Sequence, residues 1–75
     1  MSSAIILINS NLGDEKELVK DLNSISCVSD GGMVYGVYDI IAKIKADSDE
    51  HLKEICSGMI RSNKNVRSTL TLVVV

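Results

Sequence analysis

Apolar residues in this chain recur at strand spacing, then at helical spacing, then at strand spacing again, and the whole passage is made twice. That double strand-helix-strand order leaves few folds open. Ala4-Ile5-Ile6-Leu7-Ile8 is an unbroken apolar run ending in the turn-forming Asn9-Ser10-Asn11, which reads as a central strand buried on both faces. Asp14 is followed by Glu17 in a capping-box-like start, and Leu18, Val19, Leu22 and Ile25 then repeat at helical spacing, predicting a helix from Asp14 to Ser24. Cys27 to Val37 reads as a second strand, in which Asp30-Gly31-Gly32 marks a bulge or a close backbone approach. From Ile40 to Ala46 the pattern alternates, with Ile40, Ala42, Ile44 and Ala46 on one side and Ile41, Lys43 and Lys45 on the other. This third strand is hairpinned to the second through Gly36-Val37-Tyr38-Asp39.

Asp47 and Ser48 offer N-cap oxygens for a second helix, Asp49 and Glu50 complement its dipole, and Leu52, Ile55, Cys56, Met59 and Ile60 form its apolar stripe. Gly58 within it costs about 1 kcal/mol relative to Ala, so close packing is expected there. Val66 to Val75 is a fourth strand, with Val66, Ser68, Leu70, Leu72 and Val74 facing one way and Arg67, Thr69, Thr71, Val73 and Val75 the other. The order predicts an α+β fold, a ferredoxin-like β-α-β-β-α-β sandwich filling residues 1–75 as one domain. Two right-handed crossovers would place both helices on one face of a four-stranded antiparallel sheet, leaving the other face uncovered. Ile5, Leu7, Ile41, Val73 and Val75 are assigned to that open face, and an identical chain packed sheet to sheet is its simplest cover.

Composition points the same way. The 75 residues include no Phe, no Trp and two Tyr, yet 45% are apolar. A chain of this size buries only about 60% of the surface its unfolded form exposes, so part of that apolar surface is expected at an interface. Eight Lys and Arg against ten Asp and Glu give a net charge of −2, and no basic stripe offers a footprint for nucleic acid. The longest apolar runs are too short to span a bilayer and no signal peptide opens the chain, so a cytoplasmic protein is expected. Cys27 and Cys56 lack CxxC spacing and read as buried reduced thiols.

No catalytic apparatus is evident. The only histidine, His51, falls in the first exposed turn of the second helix beside Asp49 and Glu50, and no nucleophile-base pair, metal-ligand cluster or phosphate-binding glycine loop is present. Arg61, Lys64 and Arg67 surround the end of the second helix, where a stabilising interaction with its dipole is the simpler reading. The turn Gly36, Tyr38, Asp39 looks arranged for recognition. A carboxylate there can meet an ammonium group, backbone N–H groups near Gly36 can meet a carboxylate, and Tyr38 can wall a pocket. The plainer reading is an Asp capping its own turn and a Tyr covering the sheet edge.

Gly36-Val37-Tyr38-Asp39-Ile40-Ile41-Ala42, with Asp47-Ser48 before a helix and Val66-Arg67-Ser68-Thr69-Leu70-Thr71-Leu72-Val73-Val74 at the close, resembles the effector-binding (RAM) domain of the Lrp/AsnC regulators. The resemblance implies sheet-to-sheet dimers assembled into rings, and a free amino acid bound between dimers near the GxYD turn. Carried onto this sequence it implicates Gly36, Tyr38 and Asp39, with Ser68, Thr69 and Thr71 from the matching final strand. The helix-turn-helix of the family's regulators has no counterpart in these residues. The expectation is therefore a stand-alone, non-enzymatic, amino-acid-binding module with no cofactor, no metal and no direct nucleic-acid contact, one that modulates full-length regulators. Two alternatives stand beside it, a structural or adaptor oligomer without ligand and a small dimeric αβ-barrel enzyme, for which Asp39 is the sole acid-base candidate.

Overall fold

The structure, a computed structural model, describes residues 2–74. Its elements are β1 (Ser2–Ser10), α1 (Glu15–Asn23), β2 (Val28–Met33), β3 (Ile40–Ala46), α2 (Asp49–Glu54, continued by a π-helical turn over Ile55–Ile60) and β4 (Val66–Val74). The strands form one sheet in the order β2-β3-β1-β4, with every neighbouring pair antiparallel. Each helix therefore connects strands that have a third strand between them, the split β-α-β arrangement that the spacing predicts.

The core lies between the helices and one face of the sheet. Ala4, Ile6 and Ile8 of β1 and Ile40, Ala42 and Ile44 of β3 are almost wholly buried beneath Leu18, Leu22, Leu52, Ile55 and Ile60. Each such Leu or Ile contributes about 1.5–3 kcal/mol relative to exposure, which substitutes for the missing aromatic residues. β1 is central, as expected, but only one of its faces is closed. Ile5 and Leu7 stay half-buried because no second layer covers them.

Local chemistry explains the element ends. Ser48 accepts a hydrogen bond from the His51 backbone N–H at 3.2 Å, so the predicted cap of α2 forms. Asp14 precedes α1 without a side-chain cap bond, and Glu15 accepts from the Gly13 N–H instead, so the expected capping box does not form. β2 stops at Met33, short of Val37, and its irregularity falls between Val28 and Asp30. Gly31 supplies the anticipated close approach, since a Cβ there would lie 3.1 Å from the Asn23 Oδ1, while Asn23 donates to the Gly31 carbonyl. Gly58 packs against nothing, and a Cβ added there meets no atom within 4 Å. It lies on the exposed side of the π-helical turn, so the close packing expected of it is absent.

Register decides which side of β4 faces the helices. Ile5 pairs with Leu72 and Leu7 with Leu70, whereas Ala4 pairs with Val73 and Ile6 with Thr71. Directly paired residues share a face. Leu70, Leu72 and Val74 therefore join Ile5, Leu7 and Ile41 on the open face, while Val73 belongs with Thr69 and Thr71 on the helix side. The assignment of Val73 to the open face is thus corrected, and Val75 lies outside the described residues. The more apolar side of β4, Leu70, Leu72 and Val74, faces away from the helices, so apolarity along the strand does not say which side meets them.

Candidate functional site

The Gly36-Tyr38-Asp39 turn closes the β2-β3 hairpin. Val34 donates its backbone N–H to the Asp39 carbonyl at 2.8 Å, and Asp39 donates its own to the Ile8 carbonyl at 3.0 Å. Gly36 holds φ at +151°, a conformation that side-chain-bearing residues rarely adopt. Asp39 is half-buried, and its Oδ2 accepts the Ser10 backbone N–H at 3.3 Å, tying the hairpin to the end of β1. Tyr38 is half-buried beside it, whereas Tyr35 and Val37 project from the turn fully into solvent. Leu12, equally exposed, follows the end of β1 on the neighbouring loop.

The other three candidates lie on β4. Ser68 and Thr69 line a cleft of about 290 Å³ with Arg61, Val66 and Arg67, and Ser68 also accepts from the Asn9 amide at 3.2 Å. Thr71 is on the wall of a larger groove of about 530 Å³ between α2 and β4, also lined by Leu52, Lys53, Cys56, Arg61 and Val73. Neither cavity reaches Gly36, Tyr38 or Asp39. Within one chain, then, the six candidates are divided among a turn, a cleft and a groove. Sequence reasoning missed the groove, and Arg61, assigned to the helix dipole, lines both cavities. The available signal was the spacing of Asp49, Lys53, Ser57 and Arg61, four residues apart along one helical stripe.

Cys27 and Cys56 are free thiols, the first half-buried and the second buried. Burial pushes the Cys56 thiol above its ordinary value of 9.0, an effect partly opposed by the Thr71 hydroxyl across the groove. His51 is exposed, and among the described residues no three His, Cys, Asp or Glu side chains come together as metal ligands. No helix of the described residues is long and apolar enough to cross a membrane.

Residues 3–75 match the family model described as the Lrp/AsnC ligand binding domain. The chain belongs to this family. Among solved structures, FFRP-DM1 is similar to this Lrp/AsnC domain at 29% identity and TM-score 0.98, with 100% of both chains covered. The hypothetical protein PHS023 from Pyrococcus horikoshii is similar at 29% identity and TM-score 0.95, over 100% of this chain and 90% of its own. The transcriptional regulator NMB0573 from Neisseria meningitidis, solved as its L-Met complex, shares the fold at 13% identity and TM-score 0.89, over 99% of this chain and 49% of its own. No match was found among curated proteins.

Proposed function

We propose that this chain is an effector-binding regulatory module that takes a free amino acid near the Gly36-Tyr38-Asp39 turn and acts as a cytoplasmic homo-oligomer rather than as an enzyme. The observation that carries the reading is membership of a ligand-binding domain family over residues 3–75. The L-Met complex of the Neisseria regulator supports an amino acid as the ligand class. A carboxylate has about four lone-pair sites, so the bond to the Ser10 N–H leaves Asp39 able to meet an ammonium group. Because the turn lines neither cavity of the single chain, a second dimer completes the pocket in this reading, with Ser68, Thr69 and Thr71 contributed from β4. The open sheet face packs against a second copy, the dimers stack into a larger even-numbered ring, and the module modulates full-length regulators without touching nucleic acid itself. One feature supports the ligand-free oligomer as the second reading: Asp39 already has a structural task at the end of β1.

Calorimetric titration with the standard amino acids tests the proposal, using Asp39→Asn and Asp39→Ala as a pair. Asn keeps an acceptor for the Ser10 N–H but loses the charge. A charged hydrogen bond is worth about 1.5–3 kcal/mol, so both variants should bind about tenfold more weakly or worse. If only Ala weakens binding, Asp39 acts as a cap and the ammonium contact is wrong. If no amino acid binds at millimolar concentration, the ligand-free oligomer is the better account.

A further inference from the structure

α2 packs over β1 and β3 and stops short of β4, so the helix-facing side of β4 forms one wall of an open groove whose other wall is the helix. Its volume, about 530 Å³, suits a small molecule. Leu52, Cys56 and Val73 make an apolar floor, and burial disfavours the charged form of the Cys56 thiol. Along the rim Asp49, Lys53, Ser57 and Arg61 follow one another at four-residue spacing. Asp49 accepts a hydrogen bond from the Ser2 hydroxyl, and the Ser57 hydroxyl donates to the Lys53 carbonyl, so both have partners within the fold. The Lys53 ammonium and the Arg61 guanidinium make no side-chain hydrogen bond among the described residues, leaving two cations beside an apolar floor.

The backbone is unusual at the same place. The helix widens into a π-helical turn over Ile55–Ile60, with the Arg61 N–H bonded to the Cys56 carbonyl at 3.0 Å. Such turns are rare and concentrate at functional sites. Here the turn carries Cys56 and Ser57 into the groove and sets the position of Arg61 at its end.

We propose that this groove is a second ligand site, outside the Gly36-Asp39 turn, which takes a small aliphatic carboxylate with its anionic end between Lys53 and Arg61 and its tail on Leu52, Cys56 and Val73. A planar guanidinium pairs with a carboxylate through parallel N–H bonds, and the floor offers the tail nothing polar except the Thr71 hydroxyl and the thiol. The groove shares Thr71 with the amino-acid pocket proposed above but none of Gly36, Tyr38 and Asp39, so an Asp39 variant separates the two readings.

The probe is 4-methylpentanoate, titrated into the intact protein and followed by amide chemical shifts and calorimetry, with 4-methyl-1-pentanol as the uncharged control. Shifts should concentrate between Leu52 and Ser57 and between Thr71 and Val73. Lys53→Gln and Arg61→Gln should each weaken binding tenfold or more, Arg61→Lys should recover part of the loss, and Asp39→Asn should change nothing. Circular dichroism confirms that the variants fold. Absence of binding at millimolar concentration, equal affinity for the alcohol, indifference to both Gln variants, or shifts confined to residues 34–39 would each overturn the proposal. So would Gln variants that change the sedimentation coefficient without affecting the probe, since the groove would then be an interface between copies.

Discussion

Leu72→Glu and Val73→Glu introduce the same charge at adjacent positions, and the register of β4 gives them opposite consequences. Leu72 pairs with Ile5 on the open sheet face and is 48% exposed, whereas Val73 pairs with Ala4, faces the helix side and is 55% exposed. Complete burial of a Leu is worth about 1.5–3 kcal/mol, so covering the exposed half of Leu72 supplies about 1 kcal/mol per copy. A two-fold axis repeats the substitution in the partner and doubles the loss to about 2 kcal/mol, a roughly 30-fold increase in the dimer dissociation constant. Desolvating the new carboxylate costs several kcal/mol more on the same face. Sedimentation equilibrium at micromolar concentration should show Leu72→Glu dissociating to a lighter species while Val73→Glu keeps the parent's mass. A dimer indifferent to Leu72→Glu, or one dissociated equally by both substitutions, would refute the face-to-face reading.

Two further outcomes follow from the core. Ile6 is fully buried in the core, and Ile6→Ala should cost about 2–5 kcal/mol, enough at about 4–8 °C per kcal/mol to lower Tm by about 8 °C or more in a thermal melt followed by circular dichroism. Because the Cys56 thiol is held above 9.0 in the folded state, folding favours its protonated form. Its contribution to stability is therefore full below that value and is lost as pH rises through the folded pKa. Removing the thiol with Cys56→Ala should flatten the alkaline end of the stability profile measured by urea titration. An unchanged alkaline slope would show that burial of Cys56 is not linked to folding.

The alternation in β3, the Leu52, Ile55, Cys56 and Ile60 positions of the α2 stripe and the Ser48 cap were legible because each depends on residues a few positions apart, whereas Met59, expected in that stripe, is exposed. The turn between β2 and β3 was legible for the same reason, since Gly36 adopts the positive φ that glycine favours. Local pattern could not say that the Asp39 oxygen would cap Ser10, because the two residues are 29 positions apart and meet only when β1 and β3 pair. Nor could it divide the six candidate residues among a turn, a cleft and a groove. Local sequence therefore determined the order of elements, the Ser48 cap of α2 and the identity of the core strands, because period and capping are short-range properties of the backbone, whereas the cap expected of Asp14 does not form. Tertiary structure alone decided that Leu72 rather than Val73 faces outward, and that α2 leaves β4 uncovered to form the groove. Strand register and the reach of a helix across a sheet are set by contacts between residues far apart in the chain, and the more apolar side of β4 is not the side that meets the helices.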